Sequence, residues 1–527
     1  MKRFFAVLTC LCLLGSCAAA AGVEDGLLRT AVKYDITTMD VAKTSDDYLI
    51  PMNVFDRLFE TRLVNGNPSV EKSLCTDYTV SADGLTYDFT IRGGVVFSNG
   101  SALTASDVQY TFERLLKINK QNTDIAVEVS GSDKVLKGEA ETLSGFTVKD
   151  DTHFSVTLTE PNAGFPAELS SPAMSIVDRE TMSAGFGTVP AETIGSGPYV
   201  VKEWAVNDHY TLEYNSKYWG TAPSVKKLIV SVVADDSVQN MKFLSGELDM
   251  IDLQNQDSAI VASTYKMDPK YSSRIVSTRK VGMYFLALNN TSGALSNAKV
   301  RRAVAMAVDV DDLIRNLYNG DAIRETGAIP TGIWGHNADL KPVAFDPEGA
   351  KALLKEAGYS EGQIRFEIAL DSSVPSTVAN MCYAVSSRLK AVGIAAEVKT
   401  YEHAAWLEKR SSGTMECFVA RWGMDYNDPA NILYTFFGTE EKTRQRSINY
   451  QDKDIIARVA KARAIVDDSA RLAEYRALEN KLIGEDMAWV PLLQDMHLYC
   501  LGDRVESFTP HWAGFADFYA ADVVLKK

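Results

Sequence analysis

One segment concentrates residues that could bind a charged group: Trp422-Gly423-Met424-Asp425-Tyr426-Asn427-Asp428-Pro429. Asp425 stands at a strand end with aromatic rings on either side, Trp422 and Tyr426. A carboxylate so placed can anchor a cationic group, or it can fold its own loop as an Asx-turn, since Asp readily bonds the backbone two residues on. Asp428-Pro429 reads as a helix start: Asp suits the N-cap and Pro the first turn. Ahead of the loop, side chains alternate. Met415, Cys417, Val419 and Arg421 fall on one face; Glu416, Phe418, Ala420 and Trp422 fall on the other, which is the period of a strand.

No catalytic arrangement accompanies this segment. The histidines (His153, His209, His336, His403, His497, His511) are scattered, and none has a partner at metal-ligand spacing. The sequence contains no GxSxG elbow, P-loop or HExxH motif. Acidic pairs such as Asp235-Asp236, Asp311-Asp312 and Asp467-Asp468 read as turns or helix caps. We therefore expect no enzyme, no cofactor and no metal. The chain has 527 residues and a formal net charge of −15. It is too long for one core, and so acidic a surface does not suit nucleic acid or anionic lipid.

The N-terminus reads as an export signal over residues 1–16. Lys2-Arg3 precedes an apolar run from Phe4 to Leu14 that is too short for a permanent membrane span. Leu14-Gly15-Ser16-Cys17 is similar to the lipobox of bacterial lipoproteins. That similarity implies cleavage before Cys17, a diacylglycerol on its thiol and a membrane-anchored body at the periplasm or cell surface. The plainer alternative is cleavage within Ala18–Ala21. Cys75, Cys382, Cys417 and Cys500 follow with no metal-like spacing; export permits disulfides, and four buried free thiols satisfy the sequence equally.

The chain then divides. A short strand and turn lead to Asp46-Asp47-Tyr48 and a predicted helix over Ile50 to Phe59, with Val54, Leu58 and Phe59 inward. Asp83-Gly84 is a hairpin turn before an alternating strand, Leu85 to Arg92. Thr104 with Asp107 approximates a capping box. Residues 150–250 hold many short strands. Past an alternating run at 277–290 the chain is rich in helices, predicted near 298–308, 311–318, 347–357, 377–391, 452–466 and 469–483. Asp346, Asp452 and Ser469 are the expected N-caps, and Gly358 the C-cap. Pro491 to Cys500 reads as a strand returning to the first half.

A long ordered string of motifs resembles family 5 solute-binding proteins, the extracytoplasmic receptors of peptide and nickel ABC importers. The string runs Ser81-Ala-Asp-Gly-Leu-Thr-Tyr-Asp-Phe-Thr-Ile-Arg92, Gly94-Val-Val-Phe97, Asn99-Gly-Ser101 and Leu103-Thr-Ala-Ser-Asp-Val108. It continues with Gly195-Ser-Gly-Pro-Tyr199, Tyr218-Trp-Gly220, Leu244-Ser-Gly-Glu-Leu-Asp-Met250, Val300-Arg-Arg-Ala303, Asp346-Pro-Glu-Gly-Ala350 and the Trp422-x-x-Asp425-Tyr426-x-Asp428-Pro429 motif. The resemblance implies an α/β, two-lobed periplasmic-binding-protein fold (type II, cluster C) with an extra subdomain in the N-terminal lobe and a hinge of two crossing segments. Its lobes are placed at 17–279 plus 496–527 and at 280–495, and the subdomain at about 55–190. It implies a monomeric receptor that closes on its ligand and docks on an ABC permease. In the family's peptide binders the matching Asp pairs with the ligand's α-ammonium, while the peptide lies as an extra strand against the backbone matching Arg421 to Gly423. Trp422 is then a pocket wall; Tyr284, Phe285, Asp47 and Tyr48 are further contact candidates. Dipeptide binders clamp the ligand carboxylate with an arginine before a long helix. Here that stretch, Leu370 to Ser376, has none, which favours longer peptides or another solute; Arg365 or Arg410 could substitute. A nickel chelate, a glycoside or an oligosaccharide is the alternative ligand. An exported hydrolase or an orphan sensor is the alternative class.

Overall fold

The computed structural model describes residues 24–44, 48–118, 122–253, 259–513 and 518–527. The signal segment, Cys17 and Asp47 lie outside the described residues.

Two groups of sheets organise the chain. In the first half, Leu27–Val32, Lys227–Val232, His209–Tyr214 and Tyr199–Ala205 form one four-stranded sheet in that order. Cys75–Val80, Thr86–Ile91, His153–Thr157 and Phe146–Val148 form another, all antiparallel. This second sheet is the alternating Leu85–Arg92 pattern made real: Tyr87, Phe89 and Ile91 are buried while Asp88 is exposed. They pack on Val108, Phe112, Leu115 and Leu116 of the helix Ala105–Ile118. At that helix's start the Asp107 carboxylate accepts the Thr104 backbone N–H at 2.9 Å, the returning half of a capping box.

The second half is built on a mixed sheet of eight strands. Its long member, Trp489–Leu501, joins the two halves. One end pairs with Gly282–Leu288 and Ala322–Arg324, the other with Ile275–Arg279 and Met250–Asp252. Gly282–Leu288 is buried at every position. Its even residues and its odd residues belong to two different hydrophobic clusters, because period-two side chains feed the layers on both faces of a central strand. Gly282 has a steric reason: a Cβ there would stand 2.4 Å from the Trp422 carbonyl oxygen of the neighbouring strand.

The helices Ala298–Ala307, Val310–Tyr318, Pro347–Glu356, Ser376–Ala391 and Lys453–Ala462 lie where periodicity places them. Asp346 and Asp452 accept N-terminal N–H groups as caps. Gly358 adopts φ +90°, as the residue after a helix end often does. Two expectations fail. The helix Asp468–Glu479 is capped by Asp467, not Ser469; the aspartate two residues earlier takes the free N–H of Ala470. The helix predicted to Phe59 ends at Val54. Phe55 is extended, and Phe59–Val64 forms a hairpin with Asn67–Lys72. The turn is Asn65-Gly66, with φ 52° and 76°, the conformation that favours this dipeptide in tight hairpins. Val54, Leu58 and Phe59 are buried as expected, but by sheet packing in the last two cases. Among the described residues no helix is long and apolar enough to cross a membrane.

Candidate functional site

A cavity of about 1210 Å³ lies between the two halves. One wall comes from the first half, with Tyr48, Asn122, Asp124, Glu128 and Glu168. The other comes from the second half, with Arg421, Trp422, Gly423, Asp425, Tyr434 and Arg446. Its volume exceeds the roughly 300–1,000 Å³ usual for small-molecule sites.

Contacts across the gap bring the halves together. Arg463 pairs with Glu128 and with Glu168 (3.4 Å). The Asn427 amide donates to the Pro68 carbonyl at 2.8 Å. Burial, with Glu128 close by, raises the Glu168 carboxyl above the usual carboxylate range, and Arg463 opposes the shift.

The strand Cys417–Gly423 positions the candidate ligand residues. It pairs antiparallel with Gly282–Leu288 along its whole length, from Cys417↔Leu288 to Gly423↔Gly282. On its other side the strand Ile364–Asp371 meets it only at Ile368↔Cys417. The Met424 N–H bonds the Val281 carbonyl at 3.0 Å. In an antiparallel ladder such paired residues alternate, so Trp422 and Ala420 also direct their backbone groups to the 282–288 strand. Arg421 and Gly423 therefore aim their N–H and C=O groups at the opposite edge, where no strand among the described residues continues the sheet. That edge borders the cavity.

Asp425 lies just past this edge. Its carboxylate accepts one long hydrogen bond, from Asn431 Nδ2 at 3.4 Å, and among the described residues no cation lies within ion-pair distance. Burial, only partly offset by Asn431 and reinforced by the Asp124 charge, raises its pKa to about 6. A half-buried carboxylate with so little compensation is poised for a cation. Trp422 is fixed beside it: its indole N–H donates to Asn431 Oδ1 at 2.8 Å and its ring meets Phe436 edge-on at 5.3 Å. Asp428 faces away. It caps the following helix through the Ala430 N–H at 2.9 Å and pairs with Arg471 at 2.7 Å.

The other sequence candidates divide. Tyr48 lines the cavity, and its hydroxyl donates to Asn122 Oδ1 at 3.2 Å. Arg421 lines it too, although its guanidinium is tied to Asp495 at 3.4 Å. Tyr284 and Phe285 are not among the lining residues. Tyr284 is buried against Tyr318, and Phe285 is fully buried with its ring 4.4 Å from that of Trp489. Arg365 is not on the wall, whereas Arg410 is. Sequence reading passed over Lys442, Arg446, Asn431 and Arg463; nothing in their local spacing signals a site, because the fold gathers them from separate helices.

A strand-bounded cavity clasped between two α/β halves, with polar groups on both walls, is the architecture of a two-lobed solute-binding protein. The family model described as bacterial extracellular solute-binding proteins, family 5 Middle, matches residues 69–444, and the chain belongs to that family. It is 29% identical over 454 residues to the dipeptide-binding protein of Escherichia coli, covering 82% of each chain. It is 25% identical over 486 residues to heme-binding protein A of Haemophilus influenzae, covering 89% of this chain and 87% of that one. Among solved structures, the periplasmic binding protein DppA of Helicobacter pylori in complex with the peptide STSA is similar with a TM-score of 0.73 at 25% identity, over 95% of this chain and 98% of that one. NikA of Brucella suis in complex with Fe(III)-EDTA reaches a TM-score of 0.83 at 21% identity over 95% and 100%, a likeness of fold.

Proposed function

We propose that this protein is the peptide receptor of an ABC importer and holds its ligand by the amino terminus. The observation that carries the reading is Asp425: a half-buried carboxylate with no cation at ion-pair distance among the described residues, one step beyond a free strand edge. The ligand's α-ammonium pairs with Asp425. Its backbone then extends the sheet along Arg421 and Gly423, a mode that satisfies main-chain groups whatever the side chains. Trp422 walls the first side-chain position, and Tyr48 faces it from the other half. The dipeptide-binding relative of E. coli and the peptide-bound Helicobacter structure support a peptide as the class of ligand.

The lobes run from 17 to 279 with 496–527, and from 280 to 495. They hinge at Lys280-Val281 and near Asp495, where the long strand Trp489–Leu501 passes from one to the other. An insertion at about 55–190 contributes the wall carrying Glu128 and Glu168. The pairing of Arg463 with these two glutamates holds the halves together over a bound peptide, and the closed monomer docks on the permease. Residues 1–16 are removed on export, and Cys17 carries the lipid that anchors the body. Thermal-shift titration of ligand-stripped protein tests the ligand class. Tri- and tetrapeptides with free amino termini should raise the melting temperature, while their acetylated forms should not. A rise with haem or a nickel chelate and none with peptides would overturn the reading.

A further inference from the structure

Between Ala322–Arg324 and Pro347–Glu356 the chain has no helix or strand, and two buried carboxyl groups fold its first part. Glu325 accepts the Thr331 N–H at 3.0 Å and the Thr331 hydroxyl at 3.2 Å. Glu479, at the end of the helix Asp468–Glu479, accepts the Ile329 N–H at 2.7 Å and the Ala328 N–H as well. Gly327 makes room for it: a Cβ there would stand 2.1 Å from Glu479 Oε1. Gln494, on the long crossing strand, holds the same loop by donating to the Thr331 carbonyl at 3.0 Å. Glu325 is 2% exposed and Glu479 0%. Among the described residues no cation lies within ion-pair distance of either, and Glu479 Oε2 has no hydrogen-bond partner.

A buried carboxylate bonded by backbone N–H groups is by itself an ordinary support for a loop. These two lack the paired charge that a buried group needs to stay ionised. Arg279, itself bonded to the Gly66 carbonyl and Asn67 Oδ1, bears on Glu325, and exposed Arg476 bears on Glu479. Glu325 sets its own charge against Glu479. His336, the other titratable group within 325–337, donates from Nδ1 to the Ile329 carbonyl at 3.0 Å, a bond that neutral and charged imidazole both make. Burial, opposed by the Thr331 bonds, raises Glu325 to about 7. Burial, opposed by the Ile329 and Ala328 bonds, raises Glu479 to about 8.

The loop they fold is the seat of the Asp425 motif. The Trp334 N–H donates to Asn427 Oδ1 at 2.8 Å, two residues past Asp425. Gly335, at φ +90°, packs on Pro429, whose Cγ would be 2.8 Å from a Cβ there. The Arg471 guanidinium lies 4.4 Å from the centroid of the Trp334 ring and pairs with Asp428 at 2.7 Å. Resting on Asp425 as the ligand's anchor, we infer that Glu325 and Glu479 are positioning residues for it: as neutral acids they hold residues 325–335 against the Asp425 motif, and their ionisation loosens loop and motif together. The sign follows from burial. A carboxyl that is neutral in the folded loop and ionised once the loop opens makes opening about tenfold easier per pH unit, from about pH 4.5 up to its folded value. Asp425 must be ionised to hold an ammonium while the glutamates beneath it stay neutral, which sets a working window of about pH 6 to 8.

Hydrogen exchange followed by mass spectrometry tests the coupling in the empty protein, at pH 6.5 and 8.5, above the titration of Asp425. Protection factors of segments 326–335 and 424–431 should both fall ten-fold or more between the two, while the helix Ala105–Ile118 stays within three-fold. In Glu325→Gln/Glu479→Gln both segments should stay within three-fold. The inference is overturned if the parent segments hold within three-fold, if 424–431 keeps its protection while 326–335 loses it, or if the double variant falls equally. The parent measurement decides the matter even where the double variant fails to fold. Calorimetry with Ala-Ala-Ala at pH 7 adds the ligand. Glu479→Gln keeps a carbonyl for the Ile329 and Ala328 N–H groups and should bind within three-fold of the parent; Glu479→Ala should bind ten-fold or more weaker. Equal binding by all three would deny the positioning role. If the parent does not bind Ala-Ala-Ala, the peptide reading falls, and exchange still decides whether the glutamates seat the motif.

Discussion

Replacing Asp425 by Asn keeps the shape of the side chain and removes its charge. Against a ligand ammonium enclosed in the cavity, losing one partner of a desolvated pair costs about 2–5 kcal/mol, or roughly 30- to 5,000-fold in affinity. Peptides already acetylated at the amino terminus carry no cation, so the substitution should change their affinity by less than about three-fold. The raised pKa of about 6 gives two further expectations. Capture of an ammonium needs the ionised carboxylate. In the parent protein, log affinity for free-amine peptides should therefore be highest near pH 7 and fall below pH 6, approaching one unit per pH unit, while the loss above about pH 8 follows the peptide's own amine. The substituted protein should show no such fall. Stability runs the other way. A carboxyl whose folded pKa lies above its unfolded value contributes stability that is complete below about pH 4 and lost as pH rises through 6. At pH 7.5 the charged Asp425 thus weighs on the empty protein, and Asp425→Asn should raise its melting temperature, with a gain of about 1–3 kcal/mol. Titration calorimetry of the two peptide forms, with melting of the empty proteins across pH, reads all of this. Equal affinity losses for free and acetylated peptides would refute the assigned pairing, whatever their size.

Arg463→Met leaves Glu128 and Glu168 without their cation, a change that costs about 3–5 kcal/mol when the site is buried. The peptide-bound protein should then show a larger radius of gyration in solution scattering and at least ten-fold weaker binding; an unchanged radius and affinity would deny Arg463 its part in closure. Phe285→Ala removes a ring packed on Trp489 and should cost about 3–5 kcal/mol in denaturant unfolding while affinity stays within a few-fold; a loss of binding at unchanged stability would return Phe285 to the site. Cys75, Cys382, Cys417 and Cys500 are buried free thiols. Burial pushes Cys75 and Cys382 up to about 11 and Cys500 to about 12. All four should resist alkylation at pH 8 in the native state and react fully after unfolding, as peptide mass mapping would record; disulfide-linked peptides would contradict the structure.

The legible parts of the sequence were those with a local cause. The alternation from Leu85 to Ile91 became a strand, the apolar stripe from Val108 to Leu116 became a buried helix face, and the Asp346 and Asp452 caps follow from short-range hydrogen bonding. Asp425 stood out as a loop carboxylate between aromatic residues, and the fold puts it on the cavity wall. What failed depended on distant chain. Helix propensity carries past Val54, but Asn65-Gly66 turns the following residues into a hairpin whose partner strand decides the outcome. Tyr284 and Phe285 sit on a strand whose pattern could not tell cavity from core, since both its faces are covered. Lys442 and Arg446 read as ordinary exposed charges on a polar helix. Only the fold lays Arg446 across Trp422, from 24 residues earlier in the chain. Arg463 carries no local signal, because its partners Glu128 and Glu168 lie some 300 residues away.

The central claim is that the cavity holds peptides by a free amino terminus. Native mass spectrometry of the protein lacking residues 1–17, purified without refolding, tests it most directly. The account predicts co-purified masses of a few hundred to roughly a thousand daltons that fragment as mixed peptides, are labelled by amine reagents once released, and are absent after denaturation and refolding. A single bound mass that contains no peptide, such as a haem, a metal chelate or a sugar, would contradict it.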